Sequence, residues 1–148
     1  MRHKDYMELA LKEAGKALAL GEVPVGAVLV KGGEILALTH NRKERTPDPT
    51  SHAEVLALRE GAARLGDWYL EGSTLYVTLE PCPMCAGAIV LARVKTLVYG
   101  ARDLKGGAVE SLMNLVQHPS LNHYVEVIAG IGEDSCSALL QEFFQKKR

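Results

Sequence analysis

The chain has 148 residues, of which 47% are hydrophobic and 24% are charged, and this composition is ordinary for one globular domain. The longest apolar runs fall well short of the roughly 18 residues of a membrane span, which excludes a membrane-spanning helix. The formal net charge of −1 gives no overall bias towards nucleic acid. We therefore expect a single domain over residues 1–148.

The first half of the chain predicts a helix followed by a hairpin. Apolar residues recur with helical spacing over residues 4–20. Residues 25–30 form a nearly continuous apolar run, as in a strand that is covered on both faces. The Gly-Gly pair at 32–33 predicts a tight turn into a second strand at 34–40. The proline-rich residues 41–50 predict a loop.

The remainder of the chain alternates between helical and strand patterns. The predicted helices and strands are, in order, helix 52–65, strand 74–79, helix 83–93, strand 96–100, helix 110–117, strand 124–129 and helix 134–147. Such alternation predicts an α/β fold, with a central mixed five-stranded sheet and helices on both faces. The expected architecture is a three-layer α/β/α sandwich. Loops that follow its strands should gather at one edge of the sheet, where ligands usually bind.

Two short motifs offer metal ligands beside a spare carboxylate. They are His52-Ala53-Glu54 and Pro81-Cys82-Pro83-Met84-Cys85. One imidazole and two thiolates leave the fourth position of a tetrahedral Zn²⁺ open for a water, whose pKa the metal lowers towards roughly 7. Cys82 and Cys85 would share one face of a helix that begins near Pro83. Glu54, close to the ligand His52, could then move the proton of that water.

Each motif also has a simpler interpretation. Ser51 and Glu54 have the spacing of a capping box, which involves no chemistry. The pair Cys82 and Cys85 could be a redox dithiol. A structural zinc site with four thiolates would need two further cysteines, and the sequence offers only Cys136. The few cysteines, together with a charged N-terminus, predict a reducing cytoplasmic location that keeps thiols available for a metal.

The pattern H-x-E followed by P-C-x-x-C is the established signature of zinc-dependent nucleobase deaminases. The chain resembles the cytidine deaminase-like superfamily and, within it, the bacterial tRNA-specific adenosine deaminases. That resemblance runs from about Tyr6 to the C-terminus. It lies in these segments: Val23 to Val28, Asn41, Asp48 to Glu54, Thr74 to Cys82, Gly100 to Asp103, Ser111 to Met113, His118-Pro119, Asn122-His123 and Phe143-Phe144.

The resemblance implies hydrolytic deamination of adenosine to inosine at the wobble position of a tRNA anticodon. It implies one Zn²⁺ per subunit, held by His52, Cys82 and Cys85, with Glu54 as the catalytic acid and base. It also places Asn41, Val25 and the backbone of Ala53 against the flipped base. The implied assembly is a homodimer of single-domain zinc deaminases, with the tRNA anticodon stem-loop as its partner.

Contacts to the rest of the RNA are less specific in the sequence. Candidate phosphate or base contacts are Arg102, Lys105, Phe144, Lys146, Lys147 and Arg148. Ordinary surface charge and packing of the last helix explain the same residues equally well. The sequence favours no role for His118 or His123.

Two other functions remain open at this point. A small-molecule deaminase acting on guanine or cytosine would use the same zinc chemistry. A non-catalytic zinc subunit that binds RNA or a partner would have no use for Glu54, and this argues against it.

Overall fold

A computed structural model of the chain describes residues 1–42 and 47–146. They form four helices and five strands: α1 (His3–Ala19), β1 (Gly26–Lys31), β2 (Glu34–His40), α2 (Ala53–Leu65), β3 (Ser73–Leu79), α3 (Pro83–Leu91), β4 (Thr96–Ala101), β5 (Glu126–Ala129) and α4 (Glu133–Lys146). The strands build one mixed sheet in the order β2-β1-β3-β4-β5. The predicted three-layer α/β/α architecture is confirmed.

The direction of each strand follows from its connection. The β1–β2 turn places Gly32 and Gly33 at φ values of 58° and 78°, which residues with a side chain rarely adopt. Strand β1 is antiparallel to β2 and β3. Strands β3, β4 and β5 are parallel to one another. The carboxyl ends of these three strands therefore lie at the same edge of the sheet.

Side chains alternate across the sheet and fill a core on each face. Ala27, Leu29, Val77, Leu97 and Tyr99 pack with residues of α2 and α3. Their neighbours along the same strands face α1 and α4 on the opposite side. Because both of its faces are covered, β1 is buried from Gly26 to Val30, as the sequence predicted for residues 25–30.

The predicted helix at 110–117 is wrong. All of these residues are described, and they form turns within an irregular connection from β4 to β5. The N–H groups of Val109, Glu110 and Ser111 bond the carboxylate of Glu80, and Leu115 N–H bonds the carbonyl of Ala108. The chain thereby doubles back, and a continued helix does not form. The strand expected at 124–129 is also shorter, at Glu126–Ala129.

Among the helices of residues 1–42 and 47–146, none combines the length and apolar character that crossing a bilayer requires. Part of the predicted loop at 41–50, residues 43–46, lies outside the residues that the structure describes. The described part of the loop leads from the end of β2 to the start of α2 and carries Asn41 to the sheet edge.

Candidate functional site

Two helices begin at the residues that sequence reasoning chose as metal ligands. His52 is the N-cap of α2, and Cys82 is the N-cap of α3, with Pro83 at the first helical position as predicted. Cys85 lies in the first turn of α3 and is fully buried. Helix N-termini carry partial positive charge, which favours thiolate over thiol. Because the N-cap of α2 is His52 and not Ser51, Ser51 and Glu54 do not form the capping box that their spacing allowed.

The three ligand side chains converge on one point. Their candidate ligand atoms lie within 4.8 Å of one another. Nδ1 of His52 is 3.6 Å from Sγ of Cys82 and 3.5 Å from Sγ of Cys85. In a tetrahedral zinc site, a sulfur at ~2.3 Å and a nitrogen at ~2.0–2.1 Å from the metal are about 3.6 Å apart. The residues therefore fit a zinc ion without rearrangement.

The two thiols have opposite protonation preferences. A hydrogen bond from the Cys85 thiol, together with His52, lowers the pKa of Cys82 to about 4. The bond to Cys82 and burial raise the pKa of Cys85 above its usual range. The pair thus shares one proton between two sulfurs, a proton that a divalent cation would replace. All three cysteines are free of disulfides, and Cys136 lies apart from the other two, on the buried face of α4.

Glu54 faces this cluster from the first turn of α2. Only 4% of the residue is exposed. Burial raises the pKa of Glu54 to about 7, although the Glu54 backbone amide and His52 favour the ionised form. A carboxyl group with a pKa near neutrality can both accept and donate a proton at physiological pH. The site thus combines a metal-ligand group with an acid–base group.

A cavity of about 140 Å³ opens onto these groups. This is well below the roughly 300–1,000 Å³ of pockets for drug-sized ligands, so it suits one planar base better than a whole nucleotide. Its lining residues are Val23, Val25, Asn41, His52, Glu54, Leu79, Glu80, Cys82 and Asp103.

Asn41 connects the cavity to the start of α2. Its backbone N–H donates to the carbonyl of Val25, and its Oδ1 accepts from the N–H of Ala53 at 2.8 Å. The carbonyl of Ala53 accepts from the Thr39 hydroxyl. Both backbone groups of Ala53 are therefore engaged within the protein. What Asn41 offers a ligand is its amide NH₂.

A wider groove adjoins the cavity and shares Val23, Leu79 and Asp103 with it. The groove has a volume of about 800 Å³, and Arg102, Lys105 and Phe144 line it. The structure thus brings together three of the candidate RNA contacts. Lys146, on the last turn of α4, is exposed and pairs with Glu142 at 3.5 Å. Lys147 and Arg148 lie outside the described residues.

Sequence reasoning assigned no role in the site to Glu80 or Asp103, although both line the cavity. A signal was present in their positions. Glu80 directly follows β3, and Asp103 follows β4 by two residues. Polar residues at the carboxyl ends of adjacent parallel strands meet at the ligand-binding edge of an α/β sheet.

Comparisons with known proteins agree with this geometry. A family model described as MafB19-like deaminase matches residues 1–148. The tRNA-specific adenosine deaminase of Bacillus subtilis is 54% identical over 143 residues, which is 97% of this chain and 89% of that protein. A solved structure from a study of A-to-I editing by tRNA:A34 deaminases at the wobble position superposes with a TM-score of 0.89 and 46% identity. That match covers 92% of this chain and 99% of the other.

A deaminase of another substrate class shares the fold. The guanine deaminase of Nitrosomonas europaea superposes with a TM-score of 0.83 and 25% identity, covering 95% of this chain and 83% of the other. The backbone is thus common to both classes, whereas the higher sequence identity lies with the proteins that are named for tRNA.

Proposed function

The chain belongs to the MafB19-like deaminases and to the family of bacterial tRNA-specific adenosine deaminases, and from this membership we propose that it converts adenosine to inosine at the wobble position of a tRNA anticodon. Water is consumed and ammonia is released. The observation that carries the proposal is the buried Glu54 beside the His52, Cys82 and Cys85 group, at a cavity sized for one base.

We assign one Zn²⁺ per chain to that ligand group. Two thiolates and one imidazole are a donor set that zinc prefers, and the sulfur–nitrogen distances match a tetrahedral site. When bound, zinc supplies Lewis acidity that lowers the pKa of a water in the remaining position.

Glu54 moves the protons of the reaction. It accepts a proton from the attacking water and passes it to ring nitrogen N1 of adenine, while the water oxygen bonds to C6. It then takes the second proton from the new hydroxyl and delivers it to the amino nitrogen as the C6–N bond breaks. Ammonia leaves, and the base becomes hypoxanthine. The pKa of Glu54, raised to about 7 by burial, suits both directions of transfer.

The walls of the cavity orient the base. With its Oδ1 bonded to the N–H of Ala53, Asn41 can donate its NH₂ to a ring nitrogen of adenine. Val25 supplies an apolar wall. Ala53 acts through its backbone N–H, which donates to Oδ1 of Asn41 and fixes the orientation of that side chain. The target adenosine must leave its stack to enter, which costs little in an unpaired anticodon loop.

The groove next to the cavity is our candidate path for the flanking nucleotides. Arg102 and Lys105 supply positive charge for phosphates, and the 57%-exposed Phe144 offers a ring for stacking. Lys146, Lys147 and Arg148 extend this basic character along the C-terminal segment. Such a path favours RNA over a free base.

We further propose that the chain is a single deaminase domain that acts in the cytoplasm as a homodimer. An apolar hollow between α2 and α3 supports the dimer. Two large apolar side chains that line it are exposed to solvent, Trp68 at 60% and Leu91 at 71%. Exposed apolar patches of this kind mark interaction surfaces. The cytoplasmic assignment rests on the tRNA substrate and on free thiols that require reducing conditions.

The test of the function uses a tRNA transcript with adenosine at the wobble position. Zinc-loaded protein should convert that adenosine to inosine, read as a change from A to G on reverse transcription. The matched control is Glu54→Gln, which preserves shape but lacks the acid–base group and should convert at no more than about 1% of the wild-type rate. Conversion by both proteins at equal rates would refute the assigned role of Glu54. Conversion by neither would refute the proposed substrate.

A further inference from the structure

Glu80 is a buried carboxylate outside the metal-ligand group and the proton path. It lies between the end of β3 and the ligand Cys82, and only 2% of it is exposed. Its Oε1 accepts from the N–H of Asp103 and the hydroxyl of Ser111. Its Oε2 accepts from the N–H groups of Val109, Glu110 and Ser111, at 3.1, 2.8 and 2.9 Å respectively. Five hydrogen bonds thus join one side chain to a single segment, residues 103–111.

That segment is also held by other contacts, since Ala108 and Val109 are fully buried in the core and the hydroxyl of Tyr99 donates to the Glu110 carboxylate. It belongs to no helix or strand. Its bonds within itself include Gly107 N–H to the Asp103 carbonyl, and Ala108 N–H anchors it to the carbonyl of Pro81. Hydrogen bonds to an ionised carboxylate are stronger than bonds between neutral groups, and a buried N–H left without a partner is costly. The Glu80 carboxylate accepts from both ends of the segment, at Asp103 and at residues 109–111, and so ties these two ends to one point.

Gly107 allows the close approach that these bonds need. A Cβ at this position would lie 2.4 Å from Cδ of Glu80 and 2.6 Å from the Asp103 carbonyl oxygen. Either contact would force Glu80 or the backbone to shift. Glycine at 107 and glutamate at 80 are therefore parts of one arrangement.

The anchored segment shapes the entrance to the site. Asp103, its first residue, lines the cavity together with Glu54 and Cys82. Leu104 and Lys105 line the adjacent groove. Any displacement of the segment would move one wall of the cavity and one wall of the groove at the same time.

We propose that Glu80 is a positioning residue, whose carboxylate holds residues 103–111 in the conformation that accepts the substrate RNA. Its oxygens are committed to that segment, and it takes no part in proton transfer. This inference rests on the proposed function for its kinetic consequences, while its structural consequence can be measured without any activity.

The kinetic test is Glu80→Gln. The glutamine NH₂ would face backbone N–H groups, which leaves some of them unpaired and lets the segment adopt other conformations. Apparent affinity falls in proportion to the fraction of molecules that remain competent. We expect KM for an anticodon stem-loop to rise about 10-fold or more, with kcat within about threefold and zinc content unchanged.

Three further variants separate anchoring from general damage. Ser111→Ala removes one hydroxyl contact and should raise KM by a smaller factor. Gly107→Ala reaches the same anchor from the backbone side and should resemble Glu80→Gln. The control is Glu13→Gln, at a buried glutamate of α1 that pairs with Lys16 on the opposite face of the sheet and should leave KM unchanged.

The structural test is the rate of trypsin cleavage after Arg102 and Lys105. Cleavage requires local opening, so Glu80→Gln should be cut several-fold faster than wild type and Glu13→Gln at the wild-type rate. This comparison remains decisive even if the wild-type protein proves inactive on tRNA.

Unchanged KM and unchanged cleavage in Glu80→Gln would overturn the proposal. A fall in kcat at constant KM would overturn it too, because it would place Glu80 in the chemistry, and loss of zinc would show that it acts through Cys82. If Glu80→Gln does not fold, Ser111→Ala decides: wild-type KM and wild-type cleavage in that variant would refute the anchor.

Discussion

Asn41 has two tasks that substitution can separate. Its Oδ1 accepts from the N–H of Ala53 at the start of α2, and its side chain lines the cavity, where its NH₂ could bind a ligand. Asn41→Ala removes both groups. Asn41→Asp keeps an acceptor for Ala53, at a helix N-terminus where negative charge is favoured, but replaces the donor with a second oxygen.

The magnitude for Asn41→Ala follows from burial, since only 5% of the residue is exposed. A buried N–H left unpaired costs about 1–3 kcal/mol of unfolding free energy. For a chain of this length, that corresponds to a fall in Tm of roughly 2–12 °C. Asn41→Asp should lose less than about 1 kcal/mol of unfolding free energy, because an acceptor for the N–H of Ala53 remains. Both variants should lose about 5- to 150-fold in kcat/KM, because neither can donate to the base.

Thermal unfolding and initial rates on an anticodon stem-loop measure the two tasks separately. A Tm within about 1 °C of wild type for Asn41→Ala would show that the bond to Ala53 contributes nothing to stability. Wild-type kcat/KM in Asn41→Asp would show that the amide NH₂ does not bind the base. Either result would refute the corresponding half of the reasoning.

Three other changes test the remaining parts of the site. Glu54→Gln should keep zinc and Tm but lose about 10²–10⁴-fold in kcat; higher residual activity on the stem-loop would mean that another group moves the proton. Cys82→Ala and Cys85→Ala should each lose zinc, measured by elemental analysis of purified protein, whereas a full metal complement would remove that residue from the ligand set. Replacing Arg102 and Lys105 with glutamate should weaken stem-loop binding. The slope of log K against log salt concentration should become shallower by about 0.7 for each lost phosphate contact, and an unchanged slope would place both side chains outside the RNA path.

Periodicity and local chemistry predicted most of the fold. The strand at 25–30 could be predicted because it is a nearly continuous apolar run, and the structure explains that run by covering β1 with α1 on one face and α2 on the other. The glycine pair at 32–33 predicted the hairpin because its φ values are positive. The metal-ligand group could be predicted because its three residues sit in two short motifs.

Long-range capture of backbone groups could not be predicted. Residues 110–117 carry a helical pattern, yet the N–H groups at the start of that stretch bond Glu80, some 30 positions earlier. No local pattern reports that a distant carboxylate will accept them. The same holds for Asn41, whose amide oxygen bonds a helix that begins 12 residues later.

The proposed homodimer can be tested by a substitution in the hollow between α2 and α3. Leu91→Lys places a charge on the most exposed leucine of that surface and should convert a dimer to a monomer in light scattering. Lys12→Leu, on an exposed position of α1, controls for surface substitution as such. If the mass of the Leu91→Lys assembly in light scattering equals that of wild type, the dimer interface does not lie at this hollow.

This chain shares its fold with deaminases of free bases, and we propose that it acts on tRNA instead. The most direct measurement is a competition: zinc-loaded protein receives bacterial tRNA together with free adenosine, adenine, guanine and cytosine, and mass spectrometry follows every product and the ammonia. We expect inosine at the anticodon wobble position and unchanged free bases. Ammonia from guanine or cytosine with unmodified tRNA would contradict this proposal.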